Sequence, residues 1–189
     1  MEQLLSDLIQ WIVAFDTAAV DVLLDLRSPL LTKFMNSITG LGSVAAGLVF
    51  LGLVYLAEWR EEFRLMFVAM ALSGVIVITL MFTVQRPYPP NPVCLTDGSG
   101  TVVHSFPSGH AAAAAIYATV AHRSETIPFR ITAILATALA FSRFYLGTHY
   151  LSDTLVGVFI GIGTVLIAER LIESGRLSPL FSRLSATHG

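Results

Sequence analysis

The sequence has few charged residues, a single cysteine and no excess of positive charge. Only 13% of its residues are charged, whereas a soluble globular domain has about 25%. A net charge of −2 provides no basic surface for nucleic acid, so we expect no partner of that class. Cys94 stands alone and has no second cysteine in the chain to pair with, so cysteine usage does not indicate a redox compartment.

Hydrophobic residues are abundant instead. They make up 54% of the chain, and the mean hydropathy is +0.73, which together indicate an integral membrane protein. A chain of 189 residues has room for about five to six spans and little else, since each span needs about 20 residues. We therefore expect one domain, residues 1–189, folded as an all-α polytopic bundle of transmembrane helices in the cell membrane.

Five apolar segments are the candidate spans. They comprise residues 35–57, 65–84, 107–121, 129–146 and 151–170. The first two are uncharged and about as long as the hydrocarbon core requires. The uncharged cores of the other three are shorter. A polar stretch at 86–106 contains several prolines, which exclude a helix there.

Residues 1–28 carry a different pattern. Apolar side chains recur at helical spacing, namely Leu5, Leu8, Ile9, Ile12, Phe15, Ala19, Val22 and Leu23. Aspartates recur in the same stretch, at Asp7, Asp16, Asp21 and Asp25. So many carboxylates are costly in a lipid-facing span, so an amphipathic helix lying in the membrane interface is the simpler interpretation. The alternative is that residues 1–28 form a true first membrane span whose polar face packs inside the bundle.

The tetrapeptide Pro107-Ser108-Gly109-His110 begins an alanine-rich segment. Proline suits the first turn of a helix and glycine lets a backbone approach a ligand, so free N–H groups there would bind an anion. Ser108 adds a hydroxyl donor, and His110 is placed to protonate an oxygen that leaves phosphorus. A plain serine N-cap beside an incidental histidine explains the tetrapeptide equally well.

A second group of polar residues follows at 142–153. His149 and Asp153 are four residues apart, so on a helix the carboxylate can hold the imidazole and leave its other nitrogen free to attack. The alternative is a structural pair at a helix start. Arg143 lies upstream, beyond Gly147 and Thr148, which indicate a turn. An arginine at the end of an apolar segment can also simply snorkel.

Arg86 precedes Pro87 and makes a third cluster. Two arginines, two histidines and a carboxylate then interrupt an otherwise apolar chain. Snorkelling alone does not account for this set, because ionisable residues near membrane depth are costly and usually functional.

These clusters resemble the three signature motifs of the type 2 phosphatidic acid phosphatase superfamily, which includes lipid phosphate phosphatases and vanadium haloperoxidases. The residues that carry the resemblance are Arg86-Pro87, Pro107-Ser108-Gly109-His110, and Ser142-Arg143 followed by His149 and Asp153. The second and third motifs match completely, in order and in spacing. By motif the resemblance covers residues 79–153.

The resemblance implies a role for each matching residue. His149 would attack phosphorus and form a phosphohistidine, with Asp153 orienting it, and His110 would protonate the leaving oxygen and then help to activate water. The phosphoryl oxygens would be held by Arg86, Arg143, Ser108 and the Gly109 amide. The family works without a metal, so we expect neither a metal site nor another cofactor.

The first motif departs from the family pattern at one position. The family has a lysine seven residues before the arginine, where this chain has Thr79. Thr79, which keeps a hydroxyl donor, and His104, which lies in the 86–106 loop, are the auxiliary candidates. A lost charge-assisted contact is worth about 1.5 to 3 kcal/mol, which fits a slower reaction or an altered substrate choice.

The basic residues predict the orientation. With five alternating spans, Arg60, Arg64, Arg123, Arg130, Arg170, Arg176 and Arg183 fall on one side, and Arg27, Lys33, Arg86 and Arg143 fall on the other. By the positive-inside rule the larger group faces the cytoplasm. The motifs would then lie on the extracytoplasmic face.

The sequence therefore predicts a metal-independent membrane phosphatase that acts on a lipid phosphate or diphosphate through a phosphohistidine. Phosphatidic acid, phosphatidylglycerol phosphate and polyprenyl diphosphate are substrates of the expected type, and the 86–106 segment is the candidate active-site loop for headgroup selection. A lipid phosphotransferase is one alternative. A noncatalytic lipid-binding relative is another, because of Thr79. Oligomeric state is not predicted.

Overall fold

A computed structural model describes residues 2–93, 104–177 and 181, and over these residues the chain is all-helical, with seven α-helices, one 3₁₀ turn and no strand. The helices are α1 (Glu2–Leu26), α2 (Pro29–Thr39), α3 (Val44–Leu56), α4 (Arg60–Val84), α5 (Gly109–Arg123), α6 (Phe129–Tyr145) and α7 (Leu151–Glu173), and the 3₁₀ turn is Gly40–Gly42. The prediction of an all-α architecture is confirmed for this part of the chain.

The structure divides the expected span over 35–57 between α2 and α3, with a bend of 59° between the two helices, and the pair taken together is still long and apolar enough to span a membrane. Ser43 adopts an extended conformation between them, and its hydroxyl accepts from the Ala46 amide at 3.2 Å, which starts α3 afresh. Gly42 lies against the His110 ring, where a Cβ would come within 2.9 Å of Cδ2. The break therefore brings the backbone close to a motif residue.

By length and apolar composition, the described residues contain two candidate membrane spans, α4 and α7, and a third if the bent α2–α3 pair counts as one. Helices α5 and α6 have 15 and 17 residues, fewer than the roughly 20 that cross a hydrocarbon core. Large apolar side chains such as Ile78 of α4 and Phe159 of α7 are exposed. This surface suits a protein surrounded by lipid.

Helices α5 and α7 approach each other through small residues. A Cβ at Gly157 would overlap the carbonyl oxygen of Ser108, and one at Gly161 would overlap that of Ala112. Small residues allow this kind of close backbone approach between membrane helices. The glycine pattern of α7 is therefore used for packing within the chain, beside the first turn of α5.

Four helix termini meet at one end of the bundle, called here the motif end: the end of α4, the start of α5, the end of α6 and the start of α7. The Ser108 amide donates to the Asp153 carbonyl at 3.1 Å, and the Ser105 amide donates to the Arg86 carbonyl at 2.8 Å. The opposite end holds the starts of α4 and α6 and the ends of α5 and α7. All three sequence motifs therefore lie together at the motif end.

Helix α1 lies across the motif end. Asp16 bonds to Ser152 at the start of α7, whereas Arg27 bonds to the Tyr145 carbonyl at the end of α6. These two residues are about 16 Å apart along a helix, yet both contact the same end of the bundle. The second half of α1, from Asp16 onwards, is therefore attached to this end of the bundle.

The buried face of α1 differs from the predicted apolar stripe. Val20 and Leu23 are buried, in a cluster with Met35 and Tyr145. Most of the predicted stripe is exposed, including Leu8, Ile9, Ile12, Phe15 and Val22. The exposed stripe gives α1 an apolar outer surface, as expected for a helix in contact with lipid.

Candidate active site

The turn between α6 and α7 carries the third motif. Gly147 has a φ of +69°, a left-handed conformation that glycine adopts without strain. The Thr148 amide and hydroxyl both donate to the Arg143 carbonyl, at 3.2 and 3.0 Å. The turn predicted from Gly147 and Thr148 is confirmed, and it delivers His149 to the buried side of the motif end.

His149 is buried and held by the peptide backbone. Its Nδ1 lies 2.5 Å from the Ser105 carbonyl oxygen, which can only accept, so Nδ1 carries the proton and Nε2 keeps its lone pair. Burial, followed by the positive charge of Arg143, lowers the pKa of His149 to about 3, although the Ser105 hydrogen bond acts in the opposite direction. The imidazole is therefore neutral at physiological pH, with an unprotonated Nε2.

The described hydrogen bonds of Asp153 go to groups other than the imidazole of His149, which was its expected partner. Its Oδ2 accepts from the Tyr150 amide at 2.9 Å, and its Oδ1 accepts from Arg86 Nη1 at 2.6 Å. The described hydrogen bond of His149 goes to Ser105 instead. Asp153 lies in the first turn of α7, where its carboxylate accepts from a free backbone amide and interacts favourably with the positive end of the helix dipole. It therefore organises Arg86 and the start of α7.

The guanidinium of Arg86 makes hydrogen bonds and an aromatic contact on several sides. Nη1 donates to Asp153 and to the Ser152 hydroxyl, the latter at 2.8 Å, and Nη2 donates to Asp16 Oδ2 at 2.7 Å. Its Cζ lies 3.9 Å from the centroid of the Tyr150 ring. Burial lowers the pKa of Arg86, but the two carboxylates outweigh it and the net shift in pKa is upward. The guanidinium stays charged and fixed in one plane.

Ser108 is the N-cap of α5. Its hydroxyl oxygen accepts from the Ala111 amide at 3.3 Å, which leaves the hydroxyl proton available to a ligand. The amides of Gly109 and His110 fall in the first turn, where a helix offers them no acceptor. The N-cap interpretation and the anion-site interpretation of this tetrapeptide are thus compatible, because one geometry serves both.

Arg143 ties α6 to α2 and places positive charge near both histidines. Its Nη1 donates to the Thr39 hydroxyl at 2.8 Å. Its charge acts on His149 and on Tyr88, a half-buried residue of the loop whose pKa is raised by burial and lowered in part by Arg143. His110 also acts electrostatically on His149. Both imidazoles and Arg143 therefore share one neighbourhood.

The two auxiliary candidates behave differently from the motif residues. Thr79 is exposed on α4, and its hydroxyl donates to the Val75 carbonyl at 2.8 Å along the same helix. In the structure this hydroxyl donates within its own helix, and the expected part of Thr79 in the site stays a prediction. His104 is half-buried beside Ser105. Residues 94–103 of the predicted loop lie outside the described residues, so the headgroup-selection role of that loop stays a prediction.

Three residues of the site were missed from sequence. Ser105 supplies the carbonyl that orients His149, and Asp16 and Ser152 complete the surroundings of Arg86. Asp16 carries a detectable signal, since it shares a helical face with Val20 and Leu23 at spacings of four and seven. Ser105 carries none, because its contribution is a backbone carbonyl.

The donor set of the site suits an oxyanion. Two arginines, a serine hydroxyl and first-turn amides lie at the same end of the bundle as a histidine whose Nε2 carries a lone pair. Over the part of the chain that the structure describes, no group of three or more His, Cys, Asp and Glu side chains could hold a metal ion. The geometry fits phosphoryl transfer to an imidazole.

Solved structures share this fold. The transmembrane PAP2 type phosphatidylglycerolphosphate phosphatase from Bacillus subtilis superposes with a TM-score of 0.74 at 22% identity, covering 86% of this chain and 87% of that one. LpxE from Aquifex aeolicus gives a TM-score of 0.63 at 30% identity, covering 80% of this chain and 92% of its own.

A curated relative supports the same family. Decaprenylphosphoryl-5-phosphoribose phosphatase of Mycobacterium tuberculosis is 30% identical over 114 residues, which are 60% of this chain and 63% of that protein. This chain thus aligns with less than two thirds of that relative. The family model of the PAP2 superfamily matches residues 62–174, a range that contains all three motifs. The chain belongs to the PAP2 superfamily.

Proposed function

We propose that this protein is a metal-independent membrane phosphatase that removes a phosphoryl group from a lipid phosphate or diphosphate. The observation that carries the proposal is the tautomer of His149, whose Nδ1 donates to Ser105 and leaves Nε2 as a buried, neutral nucleophile. A lipid substrate is supported by the relative from Mycobacterium tuberculosis, which is a decaprenylphosphoryl-5-phosphoribose phosphatase.

In the proposed reaction, His149 Nε2 attacks phosphorus and the bond from phosphorus to the leaving oxygen breaks. His110 gives a proton to that oxygen, and the negative charge of the bound phosphate stabilises its protonated form beforehand. Water, deprotonated by His110, then attacks the phosphohistidine and releases inorganic phosphate. This second step breaks the bond from phosphorus to Nε2, so His149 is a free, neutral imidazole again at the end of the cycle.

The developing charge is held by groups in fixed positions. Arg143, the Ser108 hydroxyl and the Gly109 amide are the proposed ligands of the phosphoryl oxygens, together with the N–H groups of Arg86 that its carboxylate partners do not use. Asp153 acts through Arg86. A site built from such oriented donors supports catalysis over a purely lipid-binding role, because the donors match charge that develops in the transition state.

The lipid tail has a proposed place as well. An apolar groove of about 530 Å³ lies between α3, α4, α5 and α6. Leu41 and Leu139 line one end of the groove, and Leu139 and His110 both lie against Gly42. Trp59 and Ile127 line the other end. We expect a hydrocarbon chain to occupy this groove, because it leads from the reacting histidine towards the opposite end of the bundle.

The membrane arrangement is part of the proposal. Arg60, Arg123, Arg130 and Arg170 lie at or near the opposite end of the bundle, which would face the cytoplasm by the positive-inside rule. The motif end would then open on the extracytoplasmic side, with α1 lying in the interface. Five spans require the bent α2–α3 pair, α4, α5, α6 and α7 each to cross, with the shorter α5 and α6 matched by local thinning of the bilayer.

The test is a phosphate-release assay on a panel of purified lipids in detergent: phosphatidic acid, phosphatidylglycerol phosphate and a polyprenyl diphosphate. We expect the wild type to release phosphate from at least one of them. His149→Ala should lose this activity by about 10³-fold or more, since the nucleophile is removed. His110→Ala should be slower than the wild type.

Two outcomes would overturn the proposal. One is a wild type that is folded and inactive on every lipid of the panel. The other is turnover that survives unchanged in both histidine variants. A new phosphodiester, formed when an alcohol acceptor is added, would instead assign the chain as a phosphotransferase that shares the phosphohistidine step.

A further inference from the structure

Asp16 differs from the other aspartates of α1. Its side chain is fully buried, whereas Asp7, Asp21 and Asp25 are exposed. Burying a carboxylate is costly unless it is paired and hydrogen-bonded. A buried aspartate on a helix whose apolar side chains are largely exposed therefore needs a specific reason.

The partners of Asp16 all belong to the active site. Oδ2 accepts from Arg86 Nη2 at 2.7 Å and from the Ser152 hydroxyl at 2.5 Å, and Oδ1 accepts from the Ser152 amide at 3.0 Å. That amide lies in the first turn of α7, where the helix dipole favours an anion. Asp16 thus joins α1 to the same two elements that carry Arg86 and Asp153.

Together these contacts immobilise one guanidinium. Asp153 and Ser152 hold Nη1, Asp16 holds Nη2, and the Tyr150 ring lies against Cζ. A guanidinium is planar, so fixing both terminal nitrogens fixes the direction of its remaining N–H donors. If Asp16 is lost, only the contacts made by the start of α7 still orient the group.

We propose that Asp16 is a positioning residue for phosphoryl transfer, which acts through Arg86 and makes the seating of α1 on the bundle a requirement for turnover. Asp16 lies outside residues 62–174, the part of the chain that carries the family match. The inference rests on the proposed function, because it assigns Asp16 a role in the same phosphatase site.

The test compares Asp16→Asn with Asp21→Asn, an exposed aspartate on the same helix. The asparagine keeps the size of the side chain and removes its charge. We expect kcat/KM of Asp16→Asn on the active lipid to fall by about 10- to 100-fold, the loss typical of a charge-assisted contact. Asp21→Asn should match the wild type, and both variants should unfold cooperatively on heating.

A double-mutant cycle separates positioning from general support of the fold. Because Asp16 acts through Arg86, Asp16→Asn should cause little further loss of kcat/KM in an Arg86→Ala background. Independent, multiplicative losses would overturn the inference. So would an Asp16→Asn protein with a lowered Tm and an unchanged kcat/KM, because the contact would then be structural only.

A second variant covers the case in which Asp16→Asn does not fold. Ser152→Ala removes the hydroxyl that donates to Asp16 and accepts from Arg86, and we expect it to lower kcat/KM in the same direction; an unchanged value would overturn the inference. Failure of the proposed function is distinguishable, because it leaves the wild type inactive on the whole panel.

Discussion

The two ends of the bundle each hold an arginine–carboxylate pair at nearly the same distance. At the motif end, Arg86 Nη1 lies 2.6 Å from Asp153 Oδ1, and the carboxylate is fully buried. At the opposite end, Arg123 Nη1 lies 2.7 Å from Glu169 Oε1, and each side chain is 32% exposed. The distances alone would suggest two equivalent salt bridges.

The surroundings make the two pairs different. Water competes with the Arg123 pair, so its net contribution to stability is about 0 to 1 kcal/mol. Arg86 has a second buried carboxylate, Asp16, and an aromatic ring as partners. Removing Arg86 would leave two buried charges uncompensated, which is far more costly than losing an exposed pair. Burial and the number of partners, more than the distance, decide what an ion pair does.

The largest expected effect comes from breaking the pair at the motif end. Arg86→Lys keeps the charge but loses the planar fork that serves Asp16 and Asp153 together. We expect kcat/KM to fall by about tenfold or more, in line with the loss of a charge-assisted contact. The measurement is phosphate release from the lipid that the wild type hydrolyses.

The matched control is Arg123→Lys at the opposite end. Its activity should equal that of the wild type, and its stability to heat should change little, because the pair is solvent-screened. Equal effects of the two substitutions on kcat/KM would remove the distinction between the two ends.

A smaller effect is expected from the packing that supports the motif end. Gly157→Ala places a Cβ against the Ser108 carbonyl, so α5 and α7 must separate. Overpacking of this kind costs about 1 to 3 kcal/mol, and it also displaces the Ser108 hydroxyl. We expect both a lower Tm and a lower kcat.

Gly163→Ala is the control for this packing. It lies on the same helix with no heavy atom within 4 Å of the added Cβ, and alanine is the better helix former. Its Tm should equal or exceed that of the wild type, with normal turnover. If both alanine variants behave alike, the close approach at Gly157 is not what holds the site together.

The smallest effect concerns the groove that joins the two ends. Leu135 lines the groove, whereas its neighbour Ile134 does not. Leu135→Trp should raise KM for a long-chain lipid phosphate by up to about fourfold for each methylene that the indole displaces. Ile134→Trp should leave KM unchanged, and both variants should hydrolyse a short-chain phosphate ester normally. A raised KM for the short-chain ester in Leu135→Trp would argue for general damage to the site.

Local features that depend only on residue type and on spacing along the chain could be predicted from the sequence. The start of α5 at its N-cap Ser108 follows from the Pro107-Ser108-Gly109 sequence, and the turn before His149 follows from Gly147. The helical character of the chain follows from its apolar runs. The break between α2 and α3 could not be predicted from hydropathy, because Gly40 and Gly42 are uncharged and do not interrupt the long apolar segment.

The partners of the acidic residues were beyond sequence reasoning. The four-residue spacing from His149 to Asp153 suits an imidazole partner, but it equally suits a helix-capping carboxylate that binds an arginine from another segment. The partner of His149 is the Ser105 carbonyl, which accepts from Nδ1. The Asp153 carboxylate is therefore left to bind other groups. Asp16 is separated from Arg86 by 70 residues, so only the three-dimensional packing of α1 brings them together.

The central claim is that His149 at the motif end becomes covalently phosphorylated during turnover. The direct measurement is rapid acid-free quenching of the enzyme with a lipid substrate carrying labelled phosphate, followed by identification of the labelled residue. If His149 is the nucleophile, the label will be found on His149, stable to base and labile to acid, and His149→Ala will carry no label. Normal turnover with the label on another residue, or a label that persists in His149→Ala, would contradict it.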